Sequence, residues 1–164
     1  KGMVTAATTH PMHRYSVAFM QTGLPRPMIQ DDLARFFEKD RFAAHVGIEL
    51  LEAGDGRARA RLVLDERHRN AAGVTHGAAI FSLADLVFAM ASNSHGTVAL
   101  GVNVSVSFLR ASRGGVLHAE AREVAINPKL ATYEIRVTDE VQALIALFQG
   151  TVYRKRETLE EMGI

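Results

Sequence analysis

The chain contains no cysteine, which excludes a disulfide scaffold, a cysteine nucleophile and a thiolate metal site. It has no excess of either charge: 19 basic against 18 acidic residues leave a formal +1, and no basic block is long enough to follow a phosphate backbone. Nucleic acid is therefore not an expected partner. Long hydrophobic runs are missing too. The most apolar stretch, Gly77 to Ala91, falls short of the roughly 20 residues a membrane helix needs and carries Asp85 near its middle. No membrane partner is expected. The first residues lack the long apolar core of a secretory signal, and Lys1-Gly2 ahead of Met3 reads as a remnant of recombinant expression, so a cytoplasmic protein is expected. His10 and His13 in HPMH have metal-like spacing but no further acidic or histidine partner. Gly54 and Gly56 lack the third glycine of a dinucleotide loop, and no G-x-S-x-G or H-E-x-x-H occurs. Neither a metal nor a cofactor is expected.

What is present is enough apolar material, 48% of 164 residues, for the core of one domain. Residues 1–30 read as a lead-in rich in Thr, Pro, Met and His, residues 31–154 as the domain, and residues 155–164 as a tail. Asp31 is a candidate N-cap for a single amphipathic helix running to Val46, with Leu33, Phe36, Phe37 and Phe42 on its buried side and Gly47 at its end. IELLEAG and RARARLVLD alternate as two strands around Gly54-Asp55-Gly56, a hairpin signal. After a loop at 65–75, His76 to about Ser92 is poor in β-branched residues and long enough for a helix.

Between Arg69 and Arg110 the only formally charged side chain is Asp85, and this helix is apolar nearly all round, so it is expected to be buried. A carboxylate there calls for a reason, since burial without compensation costs several kcal/mol. Beyond the helix the period becomes two: Val98, Leu100, Val102, Val104, Val106 and Phe108 alternate with small and polar residues. Strands are expected next near 115–126, 130–138 and 142–153, separated by Asn127-Pro128-Lys129 and Asp139-Glu140. The class is α+β. An all-apolar helix flanked by antiparallel strands needs a sheet wrapped around its circumference, which is the hotdog fold.

The residues themselves resemble the PaaI-type, or phenylacetate-degradation, branch of the hotdog acyl-CoA thioesterases. That branch carries an Asn, a His-Gly at the start of the central helix and an acid at its middle, matched here by Asn70, His76-Gly77 and Asp85 in NAAGVTHGAAIFSLADLVFA. ASNSHG, FLRAS and ALFQG extend the similarity over roughly residues 36–153. Two departures stand out: Ala78 replaces a second glycine, and Gly101 and Asn103 stand where relatives place Ser or Thr. The resemblance implies hydrolysis of an acyl-CoA thioester, with a small aromatic acyl group, and a homodimer commonly paired into a homotetramer.

Physical chemistry supports that motif independently. Gly77 lies in the first helical turn, where amides lack intrahelical partners and the dipole is positive, so a carbonyl oxygen is polarised there. Asp85 is eight residues on, about 12 Å along the axis, too far to act on the same carbonyl. Two antiparallel helices about a two-fold axis would bring Asp85 of one chain to Gly77 of another, so an obligate homodimer is expected. Asp85 would activate water or attack directly, Asn70 would donate its amide, and His76 would orient the thioester. Arg110 and Arg113 are candidate contacts for the phosphates of coenzyme A. Phe81 and Phe88, with Met90, are candidates for an aromatic acyl pocket. Structural alternatives stay open: Asp85 as a paired structural acid, His76 as a helix-start residue beside a Thr75 cap, and Asn70 as a turn residue. So does a non-catalytic acyl-CoA binding or sensing module, and more remotely a hotdog dehydratase.

Overall fold

In the computed structural model residues 29–163 are described, so the HPMH pair and nearly all of the lead-in lie outside them. Two short helices, α1 (Asp31–Glu38) and α2 (Arg41–Val46), stand where one was expected. Asp40 divides them, because its carboxylate accepts from the Ala43 amide at 2.8 Å and so caps a second helix. Gln30 rather than Asp31 is the N-cap of α1, leaving Asp31 and Asp32 in the first turn, where the helix dipole favours acids. Leu33 is buried and Phe36 and Phe37 pack against the core, but Phe42 is 63% exposed. A helix restarted at Arg41 does not continue the apolar phase of the first, so the expectation for Phe42 fails. Gly47, at φ 88°, closes α2 in the left-handed region.

Strands β1 (Ile48–Gly54) and β2 (Arg57–Val63) form the expected hairpin. Asp55 and Gly56 both take positive φ, 50° and 70°, as a two-residue turn matched to strand twist requires. A short 3-10 turn, Glu66–His68, leads into the loop before α3 (Gly77–Asn93). Then come β3 (Thr97–Phe108), β4 (Val116–Ile126), β5 (Leu130–Thr138) and β6 (Leu144–Thr158). β6 runs through the first part of the stretch read as a tail, and Leu159 is buried beyond it. All six strands pair antiparallel in the order β1-β2-β4-β5-β6-β3, with α3 packed on the same sheet, as in the hotdog fold.

Leu83, Val87 and Met90 of α3 are buried with Leu62, Leu117, Ile135 and Phe148 of the sheet. The far end of α3 is tied down by polar contacts: Asn93 Oδ1 accepts from Ala99 N–H at 2.9 Å, and Ser94 Oγ from Gly56 N–H at 2.7 Å. The sheet does not enclose the helix completely. Ala78, Ser82, Asp85 and Ala89, spaced to share one side of a helix, form a stripe that the strands leave partly open. β3 departs from expectation too. Its alternation predicts one covered face, yet within one chain only Val98 and Ala99 are buried, and Val102 is 60% exposed at the sheet's edge.

Candidate active site

The first turn of α3 satisfies nearly all its own amides. His76 is the N-cap, and its ring Nδ1 accepts from the Ala78 amide at 3.0 Å. Its carbonyl accepts from Ala79 N–H at 2.9 Å and from Ile80 N–H at 3.4 Å. The Gly77 amide is left as the one first-turn donor without a partner among the described residues. It is also where the helix dipole is most positive. Thr75, the alternative cap, is committed elsewhere: its amide and hydroxyl both donate to the Ser112 carbonyl, at 2.8 and 3.1 Å.

This Thr75–Ser112 link draws the loop after β3 to the entrance of α3. Arg110 and Arg113 sit exposed on that loop, and Phe108 lies just before it. A Cβ built on Gly77 would stand 3.3 Å from the tip of the Phe108 ring, so the glycine keeps a narrow space beside its free amide. On the other side Arg69 pairs with Thr75, and the His76 amide donates to the His68 carbonyl at 2.7 Å.

Asn70 shapes the intervening turn. Its side-chain oxygen accepts from Ala72 N–H at 2.9 Å and Val74 N–H at 3.3 Å, so it is a turn residue. Its Nδ2 group has no partner among the described residues and remains available as a donor.

Asp85 is exposed in the single chain, not enclosed as its apolar run suggested, because it lies on the open stripe of α3. It lines a pocket of about 230 Å³ with Asp40, Phe42, Ala43, Ile48, Phe81, Ser82, Leu86 and Ala89. Desolvation by this surround raises its carboxyl above the ordinary carboxylate range, and the charge of Asp40 raises it further. A second pocket, of about 270 Å³, is lined by His76 and Ala78 and shares Phe42 and Ser82 with the first. The two adjoin along the open side of α3, from the helix start to the acid.

Of the two phenylalanines named for an acyl pocket, Phe81 lines the pocket of Asp85 and Phe88 does not. Phe88 is 2% exposed, with ring centroids 5.8 Å from Tyr133 and 5.6 Å from Phe148, and Met90 is equally buried. Gly101 faces this same ring, at 3.3 Å for a built Cβ, and so provides core space. The sequence reading missed Asp40, Phe42 and Phe108. A cap signal within FEKDRFA was legible for Asp40, but nothing local placed any of the three at the site.

The thioesterase superfamily profile matches residues 72–146, spanning the start of α3 and Asp85. A protein of Archaeoglobus fulgidus is 41% identical over 140 residues, 85% of this chain and 91% of that protein. The acyl-coenzyme A thioesterase PaaI of Escherichia coli is 31% identical over 72% of this chain and 85% of its own length. The chain belongs to the thioesterase superfamily, in its PaaI-type hotdog branch. Solved structures share the fold of this thioesterase over most of its length. The E. coli PaaI structure superposes with TM-score 0.75 at 30% identity, covering 77% of this chain and 93% of that one. A mutant PaaI of Thermus thermophilus gives TM-score 0.68 at 33% identity, covering 71% of this thioesterase and all of its own chain. No helix among the described residues is long and apolar enough to cross a membrane.

Proposed function

We propose that this thioesterase hydrolyses small acyl-CoA thioesters, aromatic ones such as phenylacetyl-CoA foremost, as a homodimer with two composite sites. The carrying observation is the unpartnered Gly77 amide at the start of a helix whose one acid, Asp85, stands eight residues away on the open stripe. At about 1.5 Å per residue that separation is about 12 Å, so one chain cannot present both groups to one carbonyl. Two-fold pairing brings Asp85 to Gly77 of the partner subunit. The exposed β3 edge supports such pairing, since a long apolar edge strand is a template for a second chain. Pairs of dimers would form the tetramer common among relatives.

In the reaction the Gly77 N–H donates to the thioester oxygen as it becomes an oxyanion, a contact whose loss costs about 3 kcal/mol in comparable sites. Asp85 takes a proton from water while the water oxygen bonds to the carbonyl carbon. The C–S bond then breaks, and the thiolate leaves and collects that proton. Direct attack by Asp85 through a mixed anhydride is the other route the same geometry serves. Asn70 Nδ2 holds the carbonyl or the water, His76 orients the thioester, and Phe81 contacts the acyl group. Arg110 and Arg113 meet the coenzyme phosphates at the entrance. The E. coli relative is by name an acyl-coenzyme A thioesterase, which supports this substrate class.

Hydrolysis of phenylacetyl-CoA and a short aliphatic panel by wild type and Asp85→Asn tests the reading. Asp85→Asn is expected to lose about 10²–10⁴-fold in kcat while binding the substrate. Equal rates for the two proteins, or no turnover by either, would favour a binding module instead.

A further inference from the structure

Among the described residues, Asp40 and Asp85 are the two ionisable side chains in the wall of one pocket, and its lining holds no cationic side chain. Resting on the reading of Asp85 as base or nucleophile, we propose that Asp40 is a positioning residue whose fixed negative charge faces Asp85 and strengthens it for that task. Asp40 is held where it is by its own helix. Its carboxylate accepts from Ala43 N–H at 2.8 Å and its carbonyl from Ala44 N–H at 3.2 Å, which fixes the carboxylate at the start of α2. The remaining wall, including Phe42, Ile48, Phe81 and Leu86, is largely apolar and brings no opposite charge to the pair.

Lys39, beside Asp40, donates its Nζ to the Gly163 carbonyl at 2.9 Å, and neither it nor the exposed Arg41 lines this pocket. α3 carries no second acid or base besides Asp85. In the adjoining pocket Arg67 is paired with Asp65 at 3.0 Å. His68 is held by the Asp65 amide at 3.0 Å and the Val46 carbonyl at 2.7 Å. His76 has its Nδ1 occupied by the Ala78 amide. His45, exposed on α2, lines that adjoining pocket and not the one that holds Asp40 and Asp85. The Asp85 carboxyl is raised first by desolvation and second by Asp40, the direction this arrangement requires. A more basic carboxylate removes a proton from water more readily at neutral pH, and in exchange it loses activity at a higher pH on the acid side.

The test is the pH profile of kcat/KM of Asp40→Asn with the fastest substrate of the panel. Asparagine caps a helix as well as aspartate does and carries no charge. The acid limb is expected to move to lower pH, with the ratio of kcat/KM at pH 5 to that at pH 8 rising about threefold over wild type. Asp40→Ser, a second neutral cap, should give the same displacement if Asp40→Asn folds poorly. Asp40→Ala also loses the cap, and should show that displacement together with a lower Tm. Acid limbs of Asp40→Asn and Asp40→Ser that overlay wild type would overturn the proposal, with the Asp85 reading intact if Asp85→Asn is inactive. If Asp85→Asn keeps the wild-type rate, the underlying reading falls, whatever the limb does.

Discussion

The Phe108 ring lies over Gly77, with 3.3 Å between its tip and the place a Cβ on that glycine would occupy. A contact so tight can be accommodated only if the ring gives way by a few tenths of an ångström, and here it borders the free amide. Gly77→Ala is therefore expected to cut kcat/KM about tenfold, through a crowded carbonyl approach rather than a lost donor. Gly77→Ala combined with Phe108→Ala should regain part of that loss. Steady-state kinetics on the single and double variants check the coupling.

Asn70 has two roles that one substitution separates. Asn70→Asp keeps a side-chain oxygen for the Ala72 and Val74 amides but removes the Nδ2 donor. Its Tm should stay near wild type while kcat falls about tenfold or more. Asn70→Ala should lose both activity and loop stability, and thermal unfolding beside kinetics distinguishes the two.

Because its folded carboxyl is raised above the ordinary value, Asp85 holds its proton longer in the folded than in the unfolded chain. Stability therefore falls as pH rises from the ordinary carboxylate value through the raised one, and stays lower above it. Asp85→Asn removes that ionisation and should raise Tm at pH 7 by about 1–2 °C, a small effect for an exposed group. Near pH 3 the difference should vanish. Calorimetry at the two pH values reads the sign.

Val102 is 60% exposed on the β3 edge. Val102→Lys places a charge on a surface that pairing would cover, so it should shift the protein toward monomer and lower kcat/KM by more than tenfold. Light scattering coupled to gel filtration checks both states. A monomeric variant with wild-type turnover would sink the two-chain site.

A Cβ on Gly150 would stand 2.6 Å from Phe88, whose ring is hemmed in by Tyr133 and Phe148. Gly150→Ala should cost about 1–3 kcal/mol of stability by overpacking, measured by denaturant unfolding. Gly150→Ala with Phe88→Leu should recover part of it.

Local pattern alone determined the element order from β1 onward, the Gly54-Asp55-Gly56 turn and the long apolar helix, because periodicity, turn chemistry and helix-start signals span a few residues, while family resemblance supplied the Asn, His-Gly and acid motif. The same sequence pattern failed at Asp40, where one amphipathic helix was expected, since cap and core signals compete over the same short window. Only the tertiary structure decided that Asp85 is on the uncovered stripe of α3, that Asp40 and Phe42 reach its pocket, that Phe88 is core, and that Phe108 crosses Gly77. Those relations join residues 30 to 60 positions apart or depend on which side of a helix the sheet covers. Register and packing set them, and neither leaves a periodic mark on the chain.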